Sequence, residues 1–311
     1  MNAHALIKLC PPAFTLSGIA VGGALLLAGV TSPVGAAESK PSSFPPARGH
    51  YAKLGASDPK PAEPDLAIDA KRWKTDPAFI ERVEKMEPEF VRVPLETFTL
   101  PPCPANSSKQ TRAEIDYLLR LQADRTDEEG RRALYFAPWG YSSSVKPGNP
   151  DFPIQQRNLF YVGRSIGSWF NPKDLPMTAD LMGRTWRDAS HYLWRLKFKH
   201  ARIRPYNIDP SVKSLEEPNW AAFPSGHASY SHMLAYLYSK LAPEFSDIFF
   251  TDARNIAHSR EIIGVHFPSD SEGGRVFAKQ FVDQLFKSEK FRSEFEKMKM
   301  EWARVRAASA D

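Results

Sequence analysis

Pro224-Ser225-Gly226-His227-Ala228-Ser229-Tyr230-Ser231-His232-Met233-Leu234 is the stretch on which the reading of this chain turns. The Ser-Gly pair opens a run that reads as helical, so the unpaired N–H groups of a first helical turn gather at its start. Backbone donors and the helix dipole both favour an anion at such a place. Gly226 allows close approach to that backbone.

Working upstream, Met177, Leu181, Ala189, Leu193 and Leu196 mark one face of a long helix that delivers Lys197 from its end, and Arg204-Pro205 follows. Downstream stand Ser259-Arg260, His266 and Asp270, with Pro268 in the position of a first helical residue. Lys197, Arg204 and Arg260 supply two planar forks and one point charge. A phosphoryl group in transfer spreads its charge over three equatorial oxygens, and fixed cations with backbone donors stabilise it. The two histidines imply a division of labour. Asp270, four residues after His266, can accept a hydrogen bond from one ring nitrogen and leave the other as a nucleophile. His227 is then left to protonate the leaving oxygen, and the expected intermediate is a phosphohistidine on His266.

In the order K-x-x-x-x-x-x-R-P, P-S-G-H, S-R-x-x-x-x-x-H-x-x-x-D, from Lys197 to Asp270, the chain resembles the type 2 phosphatidic acid phosphatase superfamily, which includes the vanadium haloperoxidases. Among soluble members it is most similar to the bacterial class A non-specific acid phosphatases. Arg202-Ile203-Arg204-Pro205-Tyr206, Leu100-Pro101-Pro102 and the residues around Phe223 carry that likeness, which runs from about Leu100 to Arg306. The resemblance implies His266 as nucleophile, His227 as acid and Asp270 as orienting carboxylate. It implies Lys197, Arg204, Ser225, Gly226 and Arg260 as phosphate ligands, an all-helical domain, and neither metal nor cofactor. Asp151 to Asn158 departs from the family's Ser-Gly-Gly-containing segment and makes the substrate rim the variable part.

Singly, each of these residues has an ordinary structural explanation; the ordered set does not. His191, His200, His232 and His258 stay outside the pattern, and neither H-E-x-x-H nor a Cys/His spacing suggests a metal site. Asn106-Ser107-Ser108 fits a glycosylation acceptor, but Ser107 or Ser108 serves better as the cap of the helix that follows.

The rest of the chain of 311 residues, 42% hydrophobic and 25% charged, is ordinary globular material. Lys8, the apolar run from Phe14 to Val30 and the small residues Val34-Gly35-Ala36-Ala37 predict a secretory signal over residues 1–36; an uncleaved anchor is the alternative. A Pro-rich arm is expected over 37–76 and a helical phosphatase domain over 77–311, with its motif core at 197–270. No later stretch is apolar enough to span a bilayer. With Cys10 lost in the signal, Cys103 stands alone. The net charge of +5 is scattered, which gives nucleic-acid binding no support. Phe291, Phe295, Met298, Trp302 and Val305 form a C-terminal stripe expected to pack on the body, with a homo-oligomer contact left open.

The function expected is a periplasmic or secreted broad-specificity acid phosphatase acting on small-molecule phosphomonoesters. The alternatives are a vanadium-dependent haloperoxidase, since vanadate shares the shape of phosphate, and a non-catalytic phosphate-binding relic. Trp194 and Phe198, near the motif, read as core residues at helical positions.

Overall fold

The computed structural model describes Lys60 and residues 66–136 and 147–309. The signal, most of the Pro-rich arm and residues 137–146 lie outside the described residues. Among those described the chain forms only helices: α1 Leu66–Asp69, α2 Pro77–Glu84, α3 Lys109–Asp124, α4 Asp127–Tyr135, α5 Phe152–Asn158, α6 Pro176–His200, α7 Pro205–Ile208, α8 Gly226–Leu241, α9 Ser246–Ile262, α10 Pro268–Leu285 and α11 Glu289–Ala308. The all-α expectation holds, and no helix among the described residues is long and apolar enough to cross a membrane.

Helix α6 organises the body. Leu181, Met182, Trp186, Ala189, Tyr192, Leu193 and Leu196 are linked by three- and four-residue steps and are all buried, whereas Met177, expected on the same face, is exposed in the first turn. No side chain of its own caps its start, where Leu175 precedes Pro176. Glu301 of α11 does so instead, accepting from the N–H groups of Met177 (2.8 Å) and Thr178 (2.9 Å) and from Thr178 Oγ1 (2.7 Å). A carboxylate there satisfies orphan donors and meets the positive end of the helix dipole. Halfway along, buried Asp188 accepts from the N–H groups of Glu89, Phe90 and Val91, fastening the preceding loop to the helix. The C-terminal stripe packs inward as expected: Phe291, Phe295, Met298, Trp302 and Val305 are all buried, and Trp302 donates to Thr178 Oγ1 at 2.9 Å. Trp194 and Phe198 make edge contacts with Phe79 of α2, which anchors that short helix.

Caps explain the other starts. Ser108 accepts from Thr111 N–H at 3.1 Å and opens α3, while the Asn106 amide donates to the carbonyls of Ile68 and Lys71. Trp73 N–H donates to Ala201 O at 2.8 Å, so the end of the Pro-rich stretch is tied to the turn after α6. Thr126 and Glu129 close a capping box at α4 that the sequence reading passed over.

The centre of the molecule is α8, buried on nearly every side and packed against α9 and α10. Two glycines set its distance from α10. A Cβ on Gly274 would lie 2.6 Å from Ser225 O and 3.0 Å from Ser229 N, and one on Gly273 would lie 2.6 Å from the Phe223 ring. This close approach brings the start of α10 against the start of α8, where Ser225 N–H donates to Asp270 O at 2.9 Å.

Candidate active site

The expected residues converge where the ends of α6 and α9 meet the starts of α8 and α10. Lys197, in the last turn of α6, is fully buried, and its ammonium donates to the carbonyls of Ala221 (2.7 Å) and Ala222 (3.0 Å). Arg204, just before α7, donates from Nε to Trp220 O, from Nη2 to Ala221 O and from Nη1 to Val265 O. The same Nη1 meets Nε2 of His266 at 3.1 Å. Arg260, in the last turn of α9, pairs through Nη2 with Glu216 at 2.5 Å. Its Nε and Nη1 are buried and have no hydrogen-bond partner among the described residues. Buried donors without protein acceptors are what an anion site needs.

Gly264, at φ +75°, turns the chain out of α9, and the N–H groups of Val265 and His266 both return to Arg260 O. That turn aims the His266 ring at α10. Nδ1 of His266 lies 3.0 Å from Asp270 Oδ2, which also accepts from Phe267 N–H at 3.0 Å. Since a carboxylate only accepts, the proton sits on Nδ1, and the Nε2 lone pair faces the Arg204 fork. The four-residue step from His266 to Asp270 thus carries this hydrogen bond.

One residue that the sequence reading quoted but gave no role completes the set. Arg202 donates from Nη1 to Asp270 Oδ1 and to Ser269 Oγ, both at 2.7 Å, and from Nη2 to Glu114 Oε2 at 3.3 Å. Its guanidinium carbon sits 3.8 Å above the Phe267 ring. Glu114, on α3, in turn accepts from Ser269 N–H and Oγ. Asp270 is thus held from one side by an arginine and from the other by the histidine it orients.

Ser225 is the N-cap of α8 and Gly226 its first residue. A Cβ on Gly226 would meet only Leu193 Cδ2 at 3.7 Å, an ordinary contact, so protein packing does not demand glycine there. His227, in the first turn of α8, donates from Nε2 to Phe136 O at 3.0 Å, at the far end of α4. The remaining histidines among the described residues have other partners: His191 turns to Val83 O, His232 to Ala228 O and His258 to Glu261. His200 packs its ring on Phe223. Among the described residues no cluster of His, Cys, Asp and Glu side chains could hold a metal ion.

Burial and charge set the protonation states. Burial, with the Arg204 and Lys197 charges beside it, holds His266 well below the ordinary histidine range, against the opposing pull of Asp270. Burial alone would raise the Asp270 carboxyl. Arg202, the His266 hydrogen bond and Phe267 N–H outweigh it and keep that carboxyl far below its usual range. Burial lowers Arg204 to about 10, still charged near neutrality, and pushes Lys197 well down with the help of Arg204. The site is a cation cluster around a neutral imidazole.

No protein-family model matches the chain. It is 28% identical over 187 residues to the non-specific acid phosphatase of Salmonella typhi, covering 57% of this chain and 68% of that protein. The non-specific acid phosphatase of Providencia stuartii is 28% identical over 151 residues, covering 46% of this chain and 60% of the relative. In fold, the chain is similar to the first bacterial vanadium-dependent iodoperoxidase to be crystallised, with a TM-score of 0.53 and 20% identity over 77% of this chain and 64% of that one. With an unbroken motif from Lys197 to Asp270, the chain is similar in sequence to the non-specific acid phosphatases and in fold to a vanadium-dependent iodoperoxidase.

Proposed function

We propose that the chain is an acid phosphatase that hydrolyses small-molecule phosphomonoesters through a phosphohistidine on His266. The observation that carries this reading is the geometry of one ring, with Nδ1 donating to Asp270 Oδ2 at 3.0 Å and Nε2 directed at Arg204 Nη1, 3.1 Å away. The imidazole is neutral, oriented, and aimed into the cations that would hold the phosphoryl oxygens.

Lys197, Arg204, Arg260, the Ser225 hydroxyl and the Gly226 N–H at the start of α8 bind the three non-bridging oxygens. The Nε2 lone pair attacks phosphorus, the bond to the ester oxygen breaks, and His227 gives that oxygen a proton. Water then attacks the phosphohistidine and yields its proton to His227. The P–N bond breaks, and phosphate leaves with His266 neutral again. For the first transfer the His227 ring must exchange its bond to Phe136 O for one to the leaving oxygen. The apolar run and small residues of 1–37 support export to the periplasm or beyond.

Quenching turnover of a 32P-labelled aryl phosphate in alkali tests the covalent step, because phosphohistidine survives base better than acid. Label on His266 is expected, and His266→Ala should neither label nor turn over. Near-normal turnover by that variant would overturn the mechanism. Oxidation of bromide by peroxide with added vanadate, in place of ester hydrolysis, would assign the same residues to haloperoxidase chemistry instead.

A further inference from the structure

Arg260 carries a contact that phosphate binding does not require. Its Nη2 is held by the Glu216 carboxylate at 2.5 Å, while Nε and Nη1 are left for an anion. The acid is fixed in place by its backbone. Leu215 N–H donates to Ile263 O at 3.0 Å, and Lys213 N–H donates to Gln122 Oε1 at 2.6 Å. Gly264 packs its Cα side against Val212 and Ser214 of the same loop.

Exposure is graded across the pair. The Arg260 side chain is 2% exposed and that of Glu216 is 29% exposed, with exposed Glu217 next to it. Glu216 therefore stands on the solvent side of the buried cations. The phosphoryl group must enter among the cations from the solvent side, and Glu216 is the partly exposed carboxylate bonded to one of them.

We propose that Glu216 is a specificity-determining residue. Esters whose leaving group is neutral or cationic are accepted, and esters carrying a second phosphate or other anion close to the scissile bond are disfavoured. The proposal rests on the phosphatase reading and names the substrate class of that same site. A second anionic charge at roughly 7 Å from the carboxylate, at an effective dielectric of about 40, between a protein surface and bulk water, is disfavoured by about five- to tenfold. Salt weakens the effect, because Glu216 is partly exposed.

Glu216→Gln tests this, since the amide oxygen still accepts from Arg260 Nη2 while the charge is gone. The substrates are propane-1,3-diol monophosphate and its bisphosphate, which share the reacting group and differ at the far end. The ratio of kcat/KM for bisphosphate over monophosphate should rise about five- to tenfold at low ionic strength, and the rise should shrink in 0.5 M salt. In parallel, calorimetry with inorganic phosphate and pyrophosphate should show pyrophosphate gaining affinity over phosphate by a similar factor. That arm needs no turnover, so a failed phosphatase reading and a failed Glu216 role give different results. If both ligands and both esters change by the same factor, Glu216 only holds Arg260 in place and the proposal is wrong.

Discussion

Replacing Arg202 by methionine removes four hydrogen bonds at the rear of the nucleophile: those to Asp270 Oδ1 and Ser269 Oγ, each 2.7 Å, and those to Glu114 Oε2 and Thr111 Oγ1, each 3.3 Å. Asp270 keeps His266 and Phe267 N–H on its other oxygen, but two buried carboxylates lose their shared cation. Breaking a buried pair from one side costs about 3–5 kcal/mol. At roughly 2–4 °C per kcal/mol for a chain near this size, the melting temperature should fall by about 10 °C. The kinetic effect separates orientation from simple support. Without Arg202 the Asp270 carboxyl rises, and an uncompensated carboxylate also stabilises the His266 imidazolium, so both shifts carry the acid limb of kcat/KM to higher pH. Lys197 and Arg204, which face the same ring, oppose this and are unchanged. A shift of about one unit corresponds to ~1.4 kcal/mol. Arg202→Lys keeps the charge and loses the fork, so it should lose stability while its acid limb moves much less. Substrate ionisation is common to all the enzymes and cancels in the comparison. If Arg202→Met is folded by circular dichroism and its acid limb coincides with wild type, Arg202 has no part in setting the nucleophile. If it does not fold, a large shift in Arg202→Lys would refute the charge argument equally well.

His227→Ala should lose about 10²–10⁴ in kcat on an alkyl phosphate and much less on a nitrophenyl phosphate, whose leaving group needs little protonation; equal losses on both, in steady-state assays, would remove His227 from the acid role. Gly274→Ala must push α10 away from the Ser225 carbonyl, so a loss of about 1–3 kcal/mol in urea unfolding should come with a fall in kcat, and a neutral result would mean the two helices do not need their close approach. Because His266 is held below its ordinary value, its unfolded form takes up a proton first as pH falls below ~6.5. The contribution of the neutral buried ring is whole above that pH and declines by up to about 1.4 kcal/mol per unit below it. Urea unfolding at pH 7, 6 and 5 reads that slope, and His266→Ala should flatten it.

What the sequence made legible was local. Pro268 and Ser225 announce the starts of α10 and α8, the 177–196 periodicity announces α6, and a four-residue step joins His266 to Asp270. Thr126-x-x-Glu129 was equally local, and its capping box was simply passed over. Arg202 stood in the quoted text two residues before Arg204, but its meaning depends on Glu114, 88 positions earlier on another helix. Glu216 gave no sign at all, since nothing near it in sequence says that a loop will carry it onto Arg260. Glycine was read at Gly226, where helix starts bind anions, whereas the packing need for glycine falls at Gly273 and Gly274. That requirement exists only between two helices and has no one-dimensional pattern.

The proposed mechanism must solve one conflict to work in acid. Its nucleophile has to be unprotonated while its acid is protonated, and two histidines of equal pKa cannot satisfy both over much of a pH range. The fold separates them by environment. His266 is buried behind Arg204 and Lys197, and the same cations that would bind phosphate hold its imidazole neutral well below the usual range. His227 lies on the first turn of another helix, half-buried and bonded to a carbonyl that accepts its proton. Depressing the nucleophile extends the working window on its acid side. Asp270 could undo this by drawing a proton onto the imidazole, and Arg202 balances that charge from behind. In the proposed mechanism burial, Arg204 and Lys197 keep the nucleophile neutral, while Arg202 offsets the charge of the carboxylate that orients it.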